Sequence, residues 1–237
     1  MQNMYKNSLI VYGYSQTLSL AIFHKLKIVK VKSFNVSTHD NVDLFFNEIS
    51  TFLFSHFTFN SVYYSLGPGG FTIIRRLLSY IKALTFNKNI SQKFIGFNNL
   101  FVLAYYLNNK IKIKEKDYIL SILNHSNDNF MQLYQKKLKS SFSLHTLSEI
   151  KNINLNMIDT FLEKFDLNSN NVYLVYMNSH SNNLSIPIKY IVEESNMIEV
   201  IVKISQLIEN TNLDISKYNS FFSNYPRPLY GKLPSTN

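Results

Sequence analysis

Short runs of apolar residues separated by turn chemistry open the chain. Ser8–Val11, Leu18–Phe23 and Ile28–Phe34 read as three strands, with turns at 13–16 and at His24-Lys25, so an antiparallel meander is predicted. The period then changes. Val42, Phe45, Phe46, Ile49, Phe52 and Leu53 recur at helical spacing, which predicts a helix over 42–57 capped by Asp40 or Asn41. A fourth strand follows at Ser61–Leu66 and a second helix at Thr72–Phe86. That helix carries two adjacent apolar stripes, Ile74, Leu78 and Ile81 beside Ile73, Leu77, Tyr80 and Leu84, which is wide for a helix covering one side of a sheet. A fifth strand at Lys93–Phe97 leads through Asn98, a candidate N-cap, into a helix over 100–107. Strand–helix–strand order implies parallel pairing through right-handed crossovers.

Near Asn108 the chain turns polar and lysine-rich, which marks a division into lobes at 1–108 and 109–237. Tyr118–Leu123 and Phe130–Gln135 form a predicted hairpin, and Ser140–Leu144 adds a strand. A short helix over 156–164 precedes a buried strand at Val172–Met177, a loop, and a weak strand at 186–190. Ser195–Glu209 is a predicted helix with Ile198, Ile201, Val202, Ser205 and Ile208 on one face. Pro226, Pro228 and Pro234 keep the tail extended. The class is α/β, each lobe a mixed sheet with helices.

Composition narrows the chemistry. The absence of cysteine among the 237 residues removes disulfides, thiolate nucleophiles and cysteine-based zinc sites, and suits a reducing cytoplasm. The apolar run from Leu44 to Phe57 is too broken and too short to span a bilayer, so no membrane association is expected. The net charge of +9 rests on lysine, with Arg75, Arg76 and Arg227 the only arginines. Lysine is less suited than arginine to bidentate phosphate recognition. The runs 110–114 and 136–139 are basic but not interleaved with aromatics as a nucleic-acid stacking platform would be.

Catalytic constellations are sparse. None of the six histidines lies three or four residues from another, so no helix presents a metal-binding pair, and no metal or cofactor is expected. Ser179-His180-Ser181 has no nucleophile elbow around it. The first strand-turn holds Tyr12, Gly13 and Tyr14 and no acid, leaving Asp117 as the best placed carboxylate. Gly67-Pro68-Gly69-Gly70-Phe71-Thr72, between strand and helix, has two readings. It is an anion site built on N–H groups near Gly70–Thr72 with Arg75 one turn on, or a tight structural turn.

Those residues, with Arg75, resemble the G-P-G-S-F-T-G-x-R segment of the TsaB (YeaZ) family, accessory subunits of bacterial tRNA threonylcarbamoyladenosine biosynthesis. Leu9–Ile22 fits the family's opening hairpin, Gly96–Leu100 its G-V-S-T-L step, Asp117–Tyr134 its second hairpin and Pro228-Leu229-Tyr230 its closing P-x-Y. The departures are Val11-Tyr12-Gly13 in place of I-D-T, Ile73 and Leu77 in place of glycines, and Gly70 in place of serine. The resemblance implies a two-lobed actin/Hsp70-like (ASKHA) fold. It also implies a non-catalytic scaffold that pairs with a TsaD-like catalytic subunit and, with a TsaE-like ATPase, supports modification of adenosine 37. The scaffold would self-associate when alone and meet tRNA only through the complex. The implied partner surface is the apolar face of the two helices, with Phe46, Phe52, Ile73, Leu77 and Tyr80 as its candidate anchors. Two alternatives remain open at this point: a nucleotide-binding ATPase or kinase of the same superfamily, and a basic RNA-binding protein.

Overall fold

The computed structural model describes residues 7–15, 17–24, 27–35, 39–54, 59–86, 93–125, 128–138, 141–168, 172–178, 190–211 and 213–223. Their contacts group them into two units, one built from residues up to Asn98 together with those from Ile198 onward, the other from Asn99–Met197.

The first unit begins with the expected meander, β1 (Asn7–Gly13), β2 (Thr17–His24) and β3 (Lys27–Asn35). Helix α1 (His39–Phe54), β4 (Phe59–Gly67), α2 (Phe71–Phe86) and β5 (Lys93–Asn98) follow. β1 pairs antiparallel with β2 and parallel with β4, and β4 pairs parallel with β5. Leu9, Ile10 and Val11 are fully buried because helices cover both faces of this central strand. On one face Phe34 meets Phe45 of α1 edge-on at 5.3 Å.

The second unit carries α3 (Asn99–Lys110), β6 (Tyr118–His125), β7 (Asp128–Lys136), β8 (Leu144–Thr146), β9 (Lys151–Asn152), α4 (Ile158–Glu163), β10 (Val172–Asn178) and β11 (Tyr190–Ile191). Phe142 locks onto α3, edge-on to Phe101 at 5.4 Å and to Tyr105 at 6.2 Å. Leu120, Ile122, Leu133 and Leu174 instead pack with Ile158, Phe161 and Leu162 around α4.

The chain then completes the first unit with α5 (Met197–Thr211) and β12 (Phe222–Ser223). Helix α5 closes the remaining face of the first sheet. Its Glu209 carboxylate accepts from the Ser8 hydroxyl at 2.7 Å and the Tyr63 hydroxyl at 3.1 Å. Burial, then the Glu209 charge, push the Tyr63 hydroxyl far above its ordinary pKa, so it remains a donor. β12 pairs antiparallel with β5, where the Asn98 backbone N–H donates to Phe221 O at 2.8 Å and its amide to Ser220 O at 3.2 Å.

Both sheets repeat one order. The first runs β12-β5-β4-β1-β2-β3 and the second β11-β10-β6-β7-β8, with β9 on β7. In each, an antiparallel meander adds two parallel strands on the far side of its first strand.

Several expectations shift. Helix α1 starts at His39, so Asp40 and Asn41 lie in its first turn instead of capping it. β8 begins only at Leu144, the last residue of the expected Ser140–Leu144 strand, and of the weak 186–190 strand only Tyr190 is described, in β11. The contacts group residues differently from a single cut at 108, because α3 packs on β6, β7 and β10. Phe57, Ser179-His180-Ser181 and the proline tail lie outside the described residues. No described helix is long and apolar enough to cross a membrane.

Candidate functional site

The glycine turn is built by the end of β4 folding over the β1–β2 turn. Ser65 anchors it, donating from its hydroxyl to Gly13 O at 2.9 Å. Gly67 adopts φ 95°, a conformation that favours glycine, and the Gly67-Pro68 peptide bond is cis. Gly69 lies flat on the neighbouring turn, where a Cβ would stand 2.5 Å from the Tyr14 carbonyl oxygen. Gly70 donates its N–H to that same carbonyl, and its own carbonyl accepts the first helical bond, from Ile74 N at 2.9 Å. The residues from Ser65 to Gly70 are buried.

Of the N–H groups near Gly70–Thr72 in the anion reading, that of Gly70 is engaged by the protein itself. Thr72 and Arg75 are exposed on the first turns of α2, whereas the side chain of Phe71 lies outside the described residues.

The first strand-turn presents no acid. Tyr12 and Tyr14 occupy it and both are buried, with Tyr12 stacked on Phe97 at 6.4 Å. Asp117, the best placed carboxylate from sequence, is committed to a turn. It accepts from Lys114 N at 3.0 Å, and its backbone pairs with Lys114 and Lys136. Lys136, in the basic run 136–139, is buried, with its ammonium donating to the Asn108 side chain, and desolvation lowers its pKa. Among the described residues no three His, Asp or Glu side chains gather as a metal would require.

The five candidate anchors divide. Phe46 and Tyr80 meet across α1 and α2 with ring centroids 4.7 Å apart. The Tyr80 hydroxyl lies 2.5 Å from Ser50 Oγ and donates to Phe46 O at 3.2 Å. Burial raises its pKa. Ile73 is half-buried and Leu77 wholly buried, and both reach over Gly13, 3.6 Å from where a side chain there would begin. Leu77 therefore does not lie on the outer face. It is the second of two stripes, and the phase of α2 turns it onto β1. The Phe52 side chain lies outside the described residues. Leu44 of α1, 57% exposed, is an apolar outer-face residue that the stripe pattern passed over, since it sits beside the buried row of Phe45 and Ile49.

No protein-family model and no curated protein matches the chain. Solved structures do. YeaZ from Pseudomonas aeruginosa superposes with a TM-score of 0.54 at 9% identity, covering 95% of this chain and 99% of that one. A second Pseudomonas aeruginosa structure, described as similar to peptidase YeaZ, gives 0.52 at 10% identity over 95% and 99%. A Bacteroides thetaiotaomicron protein of unknown function with an actin-like ATPase fold gives 0.50 at 9% identity, over 86% and 99%. At such identities the likeness concerns architecture, and by architecture this chain has the actin-like ATPase fold in the form found in the YeaZ structures.

Proposed function

We propose that this chain is a non-catalytic scaffold subunit of a tRNA threonylcarbamoyladenosine system. In this reading it binds a TsaD-like catalytic subunit through the outer face of α1 and α2. Together with a TsaE-like ATPase, it supports threonylcarbamoyl transfer to adenosine 37 in the cytoplasm. The tRNA is met by the assembled complex, and the chain pairs with itself when the partner is absent.

The observation that carries the reading is the β1–β2 turn. A Mg²⁺-bound nucleotide needs oxygen ligands and open N–H donors. Here two buried tyrosines fill the turn, and its Tyr14 carbonyl takes up the Gly70 N–H. These two helices offer half-buried Phe46, Ile73 and Tyr80, with Leu44 exposed on the other flank of α1, side chains suited to apolar contact.

The test is co-purification with the TsaD-like protein of the same genome, comparing wild type with Leu44→Asp and Ile73→Asp. These replace Leu77, whose burial would confuse unfolding with lost binding. A stable wild-type complex, weakened about tenfold or more by either substitution, is expected. No complex, even with the ATPase and nucleotide present, overturns the reading. Nucleotide binding by the isolated chain would favour an actin-like ATPase or kinase, and steeply salt-dependent RNA binding an RNA-binding protein.

A further inference from the structure

The link from α3 to β6 carries a lysine at every second position, Lys110, Lys112, Lys114 and Lys116. Backbone bonds fix its path. Ile111 N donates to Leu107 O and Ile113 N to Ile111 O, both at 3.1 Å. Ile113 is buried and Ile111 half-buried, which turns the alternating lysines outward, and all four are exposed. Asp117 closes the link on itself. Its carboxylate accepts from Lys114 N at 3.0 Å, and its own N–H donates to Lys114 O at 3.2 Å. Lys116 adopts φ 72° and donates its N–H to Lys136 O at 3.0 Å, which holds the link against the end of β7. Among the described residues none of the four ammonium groups has an ion pair or a hydrogen bond. Two acids share the stretch, Glu115 and the Asp117 already bound to backbone, so the link presents an excess of unpaired positive charge.

We propose that this lysine link is a contact site for the phosphate backbone of RNA. It rests on the scaffold reading, because it gives the chain its own share in holding the tRNA that the assembled complex meets. Each ammonium is a point charge, which suits a single phosphate oxygen. No aromatic and no arginine lies within 110–117, so bases are not read and the contact is independent of sequence. A protein partner fits less well. Lysine is depleted in protein interfaces, whose cores are apolar and aromatic, and here the isoleucines between the lysines turn inward. A lipid surface fits no better, since a polybasic patch anchors stably only beside an acyl chain or inserted apolar residues.

The test is fluorescence anisotropy of the full chain with a labelled oligouridylate, from low to physiological salt. Four phosphate contacts predict weak binding, with Kd about 10⁻⁴–10⁻⁶ M at physiological salt and a log–log salt slope of about −3. A stand-alone RNA-binding protein with about 6–10 contacts would fall far more steeply. Lys112→Gln with Lys114→Gln should cut the slope by about half and weaken low-salt binding about tenfold or more. Lys164→Gln with Lys203→Gln, an equal loss of charge at exposed sites, should change neither. All four positions are exposed, so both variants keep the fold, as circular dichroism would check. Four results would each overturn the inference. They are no binding at low salt up to about 1 mM, equal weakening by the two variants, a polyglutamate peptide that binds more tightly and displaces the RNA, and tighter binding to phosphatidylserine vesicles. Co-purification with the TsaD-like protein should be unchanged by Lys112→Gln with Lys114→Gln, so the two failures are separable. Loss of the complex strikes the scaffold reading whatever the slope, and a slope indifferent to these lysines strikes the phosphate contact whatever the complex.

Discussion

A methyl group at Gly69 would meet the Tyr14 carbonyl oxygen, a backbone atom that moves only with β1 and β2. Gly69→Ala should therefore cost about 2 kcal/mol or more, read as a lower urea midpoint. Glu194, in the short 3-10 turn before α5, is a different case. Its Oε1 is buried without a hydrogen-bond partner among the described residues, and desolvation pushes its pKa up to about 7. Between about pH 4.5 and 7 the folded chain keeps a proton that the unfolded chain has released, so stability falls as pH rises through that window. Glu194→Gln should stabilise by roughly 2 kcal/mol at pH 8 and change little at pH 4, measured by urea unfolding at both. Neither property was legible in the sequence. The glycine turn was recognisable from its residue types, but which carbonyl it meets depends on a strand about fifty residues earlier. Glu194 looks like any helix-start acid until its surroundings are built. Leu77 and Ile73 share one helical stripe and both reach Gly13, yet the first is core and the second half open, a difference that the stripe alone does not give.

Helices α1 and α2 are joined by the Phe46–Tyr80 ring pair and the Tyr80 hydroxyl. A double-mutant cycle of Phe46→Leu and Tyr80→Leu should return a coupling of about 0.5–1.5 kcal/mol in thermal or urea unfolding. Tyr80→Phe alone should cost about 1 kcal/mol, because it removes the bonds to Ser50 and Phe46 O and keeps the ring. Most elements were legible in the sequence for a physical reason. Long strands alternate or run apolar, and long helices repeat every three to four residues, so β1 to β7, α1 to α3, β10 and α5 leave a periodic trace. β9 and β12 are two residues each and too short to have a period. They are fixed by partners instead, β12 by Asn98, whose expected role was to cap α3.

The two units share a strand order but differ in how the chain supplies them. Among the described residues the second is drawn from one stretch, Asn99–Met197, whereas the first needs a return visit from Ile198 onward. On α5, Ile198, Ile201, Val202, Ile204 and Ile208 are buried. Each such side chain contributes roughly 1.5–3 kcal/mol through the apolar area it removes from water. A chain ending at Met197 should lose hydrogen-exchange protection in β1, β4 and β5 and keep it in β6, β7 and β10. Equal protection in both sheets would show that α5 is dispensable. The repeated mixture of strands and helices was legible along the sequence. The return was not, because nothing in an amphipathic helix near the C-terminus names the sheet it will cover.

That return also orders the protein's birth. As the ribosome delivers the chain, the first five strands emerge early, and their cover follows about a hundred residues later. At roughly 5–20 residues per second this is a wait of about 5–20 s. During it one face of a sheet rich in Leu, Ile, Phe and Tyr stands open while Asn99–Met197, the stretch that builds the described part of the second unit, has already emerged. The half made first is finished last, and in a crowded cell that interval is when a chaperone has most to hold.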